Sequence, residues 1–149
     1  MPSPFQFGLN SGDDSLPSTT ADGVSFLDSV VEFTCPVCVD SDLMVGSLGN
    51  TQVCICESCK GFVIDSATMG DMIHHLRGTY QGADDRPVPI NAEELDKQID
   101  CPVCFQTMYT HPYYGPGNVV INSCNSCKIN WLDEGELAAI VRAPGLRGR

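Results

Sequence analysis

Cysteine is the residue type whose number and spacing point most directly to chemistry in this chain. There are nine cysteines among 149 residues, and eight of them form four C-x-x-C pairs. Such a pair forms a tight turn, called a knuckle below, in which both thiolates reach one metal ion at about 2.3 Å. The pairs are Cys35 and Cys38, Cys56 and Cys59, Cys101 and Cys104, and Cys124 and Cys127. Four knuckles supply the ligands for two four-sulfur metal sites.

The gaps between successive knuckles favour zinc. There are 17 residues between Cys38 and Cys56 and 19 between Cys104 and Cys124, within the roughly 15–20 residues typical of a four-cysteine zinc site. Disulfides are disfavoured because the number of cysteines is odd and the N-terminus lacks a secretory signal. A four-thiolate site also suits iron, which stays open as an alternative. We therefore expect two Zn²⁺ ions per chain, one in each site.

An internal repeat indicates which knuckles share an ion. C-P-V-C at 35–38 recurs at 101–104, and C-E-S-C-K at 56–60 recurs as C-N-S-C-K at 124–128. A unit of about 40 residues therefore occurs twice. This alignment pairs the first knuckle with the second and the third with the fourth. An interleaved pairing, first with third, is the alternative, and it would leave each unit without an ion of its own.

The ninth cysteine, Cys54, falls outside this scheme. The alignment sets it opposite Asn122, which is not a thiol. We expect Cys54 to be a small buried side chain rather than a ligand. An exchange of roles between Cys54 and Cys56 is the alternative.

Each unit is expected to fold as knuckle, β-hairpin, knuckle, strand and short helix, which makes a small, metal-stabilised α+β fold. In the second unit, β-branched and aromatic residues at 107–110 and 119–121 flank a turn rich in Pro and Gly. A helix follows, because Asp133 and Glu136 form a capping-box pattern ahead of an apolar stripe. Asp65 stands at the same place in the first unit. So small a unit buries too little apolar surface to fold alone, and the metal is expected to hold it together.

The second unit resembles a known family. C-P-V-C followed by C-N-S-C-K-I-N-W-L-D-E-G-E-L is similar to the transcription factor IIB-type zinc ribbons, whose bacterial members carry C-P-x-C and C-x-x-C-x-G-x-W-L-D-x-G-E-L. The resemblance covers 101–141 closely and 35–76 less closely. It implies two tandem zinc ribbons and makes all eight paired cysteines zinc ligands. The first unit departs from the pattern with Val63 in place of Trp, and the second with Ile129 in place of Gly.

The remaining segments connect or extend the two units. Residues 25–33 suit either a short helix or a strand against the first ribbon. The predicted domains are a flexible tail at 1–23, the first ribbon with its N-terminal extension at 24–77, a linker with a short helix at 78–100, the second ribbon at 101–142 and a tail at 143–149.

Charge and composition exclude several classes of function. The chain has a formal net charge of −11, and two sites of four thiolates around Zn²⁺ take it to about −15. Direct binding to nucleic acid is therefore disfavoured, since phosphates are bound by Lys and Arg. No apolar run approaches the roughly 18 residues of a membrane span, and we expect a cytoplasmic protein. Four cysteines leave zinc no open position, and none of His74, His75 and His111 forms a catalytic pattern, so we expect no enzyme.

The function that fits these restrictions is an intracellular adaptor or regulatory module that binds a protein partner. Tyr and Trp are enriched at protein–protein hot spots. Tyr109, Tyr113 and Tyr114 cluster at the second hairpin, while Trp131 is better explained by packing over the metal site. The alternatives are a transcription-associated nucleic-acid-binding factor and, third, a redox or metal-transfer protein. Whether the two ribbons pack together, and the oligomeric state, stay open.

Overall fold

The computed structural model describes residues 19–113 and 117–145. Tyr114 and most of the predicted 1–23 tail lie outside the described residues. The strands are β1 (Ser25–Thr34), β2 (Asp42–Leu48), β3 (Thr51–Cys56), β4 (Phe62–Asp65), β5 (Tyr109–Pro112), β6 (Val120–Cys124) and β7 (Ile129–Leu132). The helices are α1 (Ser66–Thr79) and α2 (Glu136–Arg142), with a 3-10 turn at Glu94–Asp96. Segment 25–33, which suited helix or strand in sequence, is part of strand β1.

The seven strands form one sheet in the order β1-β2-β3-β4-β7-β6-β5. All neighbouring strands are antiparallel. If β1 is set aside, the order runs symmetrically outward from a central pair, β4 and β7. The two cysteine-rich segments therefore share a continuous sheet and pack together, which the sequence had left open.

The central strand pair relates the two segments by a local two-fold axis. Phe62 pairs with Leu132, Val63 with Trp131, and Ile64 with Asn130. Aligning Cys56 with Cys124 places Val63 on Trp131, so exchanging the two segments maps this set of pairs onto itself. The Val63–Trp131 pair therefore lies on the axis. Because β4 and β7 are antiparallel, the knuckles that precede them lie at opposite ends of the pair.

The two helices cover one face of the sheet. Side chains alternate between the faces of a strand, and those of β3, β4, β6 and β7 that point toward the helices form a buried core. Its larger members are Ile55, Phe62, Ile64, Met69, Ile73, Ile121, Leu132, Leu137 and Ile140. Among the described residues, no helix is both long enough and apolar enough to cross a bilayer.

The opposite face carries Trp131, which is fully buried. Its indole lies over Gly61 so closely that a Cβ atom on Gly61 would collide with Cζ2 of the ring. By the local symmetry, Val63 and Ile129 occupy the equivalent two positions, and both pack at the edge of the same buried cluster. The two departures from the zinc-ribbon pattern therefore compensate each other. Trp131 and Gly61 fill one space, and Val63 and Ile129 fill the equivalent space on the other side of the axis.

Helix α2 is capped at both ends by the other half of the chain. The Asp22 carboxylate accepts hydrogen bonds from the backbone N–H groups of Gly135 and Ala138, both at 2.8 Å. The buried guanidinium of Arg77 donates to the carbonyls of Ile140, at 2.7 Å, and Ala143, at 2.9 Å. A short helix exposes unsatisfied groups at both ends, so Asp22 and Arg77 stabilise α2 directly.

The predicted capping box of α2 forms only in part. The Glu136 carboxylate accepts from the Asp133 N–H at 2.9 Å, as the pattern predicts. The Asp133 carboxylate does not cap the helix, because it accepts from Nε1 of Trp131 and pairs with Lys97. Asp22 takes its place as the cap. In α1, by contrast, Asp65 accepts from the Thr68 N–H at 3.0 Å, which confirms that prediction.

Because Trp131 packs so closely on Gly61, we expect a larger side chain at position 61 to destabilise the fold. Gly61→Ala should lower the free energy of unfolding by about 1–3 kcal/mol, since the added methyl overpacks the indole. In a Trp131→Val background the same substitution should cost much less, because the colliding ring is gone. Urea denaturation of the four zinc-loaded proteins measures this coupling.

Gly70→Ala is the matched control for that cycle. Gly70 lies inside α1, and within the part of the chain that the structure describes no neighbouring atom comes within 4 Å of the place that an added methyl would take, so alanine there should stabilise by about 0.5–1 kcal/mol. An equal cost of Gly61→Ala with and without Trp131 would contradict the packing account.

Candidate metal centres

The structure brings the eight paired cysteines together in two groups. In each group, all four sulfur atoms lie within 4.8 Å of one another. One group joins the knuckles at 35–38 and 56–59, and the other those at 101–104 and 124–127. The interleaved pairing is not formed. Each group could hold one metal ion.

The sulfur–sulfur distances fit a tetrahedron around a single ion. They are 3.7 Å for Cys35–Cys59, 3.8 Å for Cys56–Cys38, 3.9 Å for Cys101–Cys127 and 3.6 Å for Cys104–Cys124. An ion with four sulfurs at about 2.3 Å in tetrahedral geometry sets them about 3.8 Å apart. A disulfide would need about 2.05 Å, and all nine cysteines are free thiols in the structure. The groups have the dimensions of single-ion sites.

Backbone N–H groups point at the sulfurs. The N–H of Cys38 donates to Sγ of Cys35 at 3.3 Å, and the N–H of Cys127 to Sγ of Cys124 at 3.4 Å. Hydrogen bonds to the charged form of a group favour that form. The knuckle backbone therefore stabilises thiolates, the form of cysteine that binds metal.

The four knuckles share one backbone conformation. The residue after the second cysteine of each knuckle has a left-handed φ: 71° at Val39, 65° at Lys60, 66° at Phe105 and 60° at Lys128. Each of these residues donates its N–H to the carbonyl of the knuckle's first cysteine, at 2.8–2.9 Å. The turn is therefore closed by the backbone, whichever side chain follows it.

The thiols of one group do not ionise alike. The N–H of Cys127, with help from neighbouring thiols, lowers the pKa of Cys124 to about 7 against the effect of burial. Burial and hydrogen bonds to the other thiols raise the pKa of Cys127 to about 12. In the first group, burial and the Cys56 thiol likewise raise the pKa of Cys38 to about 11. Four thiolates so close together need a cation, and cation binding must release protons.

Cys54 lies outside both groups. It sits in the middle of β3, pairs with Val45 on one side and Val63 on the other, and is half-buried. Burial raises the pKa of its thiol. Cys54 therefore has the surroundings of a packing residue.

The cysteine groups and Trp131 share one buried cluster. It contains the first cysteine of each of the four knuckles, together with Leu43, Ile99, Met108 and Trp131. Trp131 packs inside this cluster and has no exposed surface to offer a partner. Of the three tyrosines near the second hairpin, Tyr109 is 56% exposed, Tyr113 is partly buried against the helix-side core, and Tyr114 is not described.

His111 has a hydrogen-bonding role that the sequence did not reveal. Its Nε2 lies 2.7 Å from the Ser123 hydroxyl, which donates to the buried Asn130 side chain at 2.6 Å. Its Nδ1 lies 2.8 Å from the Pro112 carbonyl. The contacts connect β5, β6 and β7. Ser123 pairs with Tyr109, two residues before His111. His111 and Ser123 are therefore diagonal neighbours on one face of the sheet. The register of the β5–β6 hairpin is the sequence signal that could have predicted this contact.

A third cluster contains carboxylates instead of thiols. Glu94, Asp133 and Glu136 lie close together, and the Lys97 ammonium pairs with Asp133. Burial and the nearby Asp133 charge raise the pKa of Glu136 to about 8. Glu136 is therefore largely protonated at neutral pH, and the cluster is a partly neutralised polar network beside the start of α2.

Comparison of this chain with models of known families, with curated proteins and with solved structures gave no match.

The eight grouped cysteines and Cys54 should differ in their effect on metal content. Cys124→Ser should lose one zinc ion per chain and unfold the second unit, because a structural zinc contributes about 10–16 kcal/mol. Cys54→Ser, the matched control, should keep both ions. Elemental analysis of purified protein measures the metal, and circular dichroism the fold. Loss of one ion in Cys54→Ser would show that the assignment of ligands is wrong.

The raised pKa of Glu136 should make the stability of the fold depend on pH. Its pKa is about 8 in the folded chain against 4.5 when unperturbed, so the folded chain binds the proton more tightly. The resulting stability is complete below about pH 4.5 and is lost as the pH rises through about 8. Glu136→Gln cannot ionise, so from about pH 5 to 8.5 it should gain stability relative to wild type. Urea denaturation at each pH gives the difference in free energy of unfolding between the variant and wild type. Protonation of the thiols affects both proteins alike and cancels from this difference. If the free energies of unfolding of wild type and Glu136→Gln changed in parallel with pH, the raised pKa of Glu136 would be contradicted.

Proposed function

We propose that the protein is a two-zinc interaction module built from paired zinc ribbons, in which both ions are structural and the folded surface binds a partner protein. The observation that carries the proposal is the completeness of the two groups. Four sulfurs at tetrahedral separations fill every position around each ion. A catalytic zinc keeps a position open for water or substrate, and a closed site does not.

Zinc fits the groups better than an iron–sulfur cluster does. A cluster holds its thiolates on different iron atoms, and the bridging sulfides spread those thiolates farther apart than a single ion would. All sulfurs of each group lie within 4.8 Å of one another. The distances therefore support one ion per group, and a thiolate shell with no open position supports a structural role for that ion.

The charges of the described residues support a protein partner over nucleic acid. Three of the six basic side chains in 19–113 and 117–145 are engaged within the chain: Arg77 is buried against α2, Lys97 pairs with Asp133, and the Lys60 ammonium donates to the Glu57 carbonyl. Each zinc with four thiolates adds a net charge of −2. Phosphate backbones are bound by basic surfaces, and this chain, at −11 before metal binding, lacks the positive charge for that role.

Native mass spectrometry of the tagged protein from its own cells tests the proposal. We expect two zinc ions per chain and a co-purifying protein in fixed stoichiometry. That complex should survive nuclease treatment and dissociate when a chelator removes the zinc, since the binding surface depends on the metal-stabilised fold. A complex that nuclease dissolves, or a single metal ion per chain, would contradict the proposal.

A further inference from the structure

A groove of about 310 Å³ separates the first knuckle of each segment, at 35–38 and 101–104. Its lining consists largely of equivalent residues from the two segments. Pro36 faces the groove together with Pro102, and Val39 together with Phe105. The groove therefore spans the two halves of the molecule. Its volume is at the lower end of the range for ligand pockets, which suits one or two side chains.

The groove carries the most exposed large apolar side chains of the described residues. Phe105 is 74% exposed and Val39 is 71% exposed. Val37 and Val103 belong to the same two knuckles but are not among the residues that line the groove, and they are 38% and 40% exposed. Contiguous exposed apolar surface marks an interaction site more often than scattered single residues do.

Folding alone does not account for Val39 and Phe105. Both have the left-handed φ that the knuckle requires, a conformation that is strained for a β-branched or bulky residue and easy for Asn or Gly. The second knuckle of each segment has a lysine at the same place, Lys60 and Lys128. Neither Val39 nor Phe105 recovers the strain by burial, so an apolar side chain here has no structural advantage in the isolated chain.

The charges around the groove determine what kind of segment it suits. Asp100 lines the groove, and none of the described residues that line it is Lys or Arg. Asp40 follows Val39, and Asp42 pairs with the groove residue Thr34. One cysteine from each zinc site also lines it, and each site carries −2 when zinc is bound. An apolar groove in a negative field favours an apolar side chain with positive neighbours.

We propose that this groove binds a segment of a partner protein that places an aliphatic or aromatic side chain between Val39 and Phe105, with Lys or Arg on either side of it. This inference rests on the proposed function and names the surface and the partner's chemistry. A second copy of the chain is a poor occupant, since two molecules of net charge −11 repel each other.

The test is selection of random linear peptides displayed on phage by the zinc-loaded full chain. Selected peptides should share an apolar residue flanked by Lys or Arg. Val39→Asn and Phe105→Asn should each weaken binding of the selected peptide by about tenfold or more. The same variants should unfold at equal or higher urea concentration than wild type, because Asn accepts the left-handed conformation. Loss of binding without loss of stability separates a binding role from a structural one.

The matched control is Val30→Asn in β1, which replaces another exposed valine, 64% exposed, outside the groove. It should bind the peptide like wild type. Selected peptides without basic residues, or unchanged binding by Phe105→Asn, would overturn the groove assignment. So would a dimer that Phe105→Asn dissociates. If Val30→Asn alone abolishes binding, the groove is wrong and the interaction module stands. If no peptide is selected and no protein co-purifies from cells, both proposals fail.

Discussion

Four thiolates held as close together as in each cysteine group repel one another, and this fold requires that repulsion to be offset by a cation. Each group holds its sulfurs at the edge distances of a tetrahedron, 3.6–3.9 Å. Without a cation, burial and hydrogen bonds to the neighbouring thiols raise the pKa of Cys127 to about 12, so this thiol resists ionisation. A metal ion removes that penalty and fixes two knuckles relative to each other. The strands that begin and end at those knuckles then have a defined register.

The two metal groups are not independent of each other. β4 and β7 join their segments into one sheet, and the pair at its centre, Val63 and Trp131, lies on the local two-fold axis. Trp131 comes from the second segment and packs over Gly61, which follows the second knuckle of the first segment. Asp22 and Arg77 reach across in the other direction to cap α2. Each half therefore completes the packing of the other, so loss of one metal ion should also lower the stability of the half that keeps its own ion.

Sequence reasoning found the features that depend on local spacing. C-x-x-C knuckles and the distances between them predict the two cysteine groups, because a turn brings both sulfurs of a pair to one ion wherever it lies in a fold. The Asp65 cap is local in the same sense. The substitutions at Val63 and Ile129 were visible as departures from the family pattern, but their compensation became clear only when β4 was found beside β7.

The features that sequence reasoning missed depend on contacts between distant segments. Asp22 lies in what the composition suggested was a flexible tail, and it caps a helix more than a hundred residues away. Because Asp22 caps α2, the Asp133 carboxylate accepts from the Trp131 indole instead. The sequence was therefore wrong in predicting Asp133 as the cap, although Glu136 bonds as predicted. The exposed Val39 and Phe105 directly follow their knuckles in sequence, and only the structure shows a groove between them.

Zinc K-edge X-ray absorption of the purified protein, with the metal counted on the same sample, shows directly whether both cysteine groups are closed zinc sites. We expect two zinc ions per chain, each with four sulfur neighbours at about 2.3 Å and no nitrogen or oxygen neighbour. A mixed shell with nitrogen or oxygen would contradict the closed four-cysteine sites. Iron in place of zinc would contradict the assignment of the metal and with it the structural role proposed for both ions.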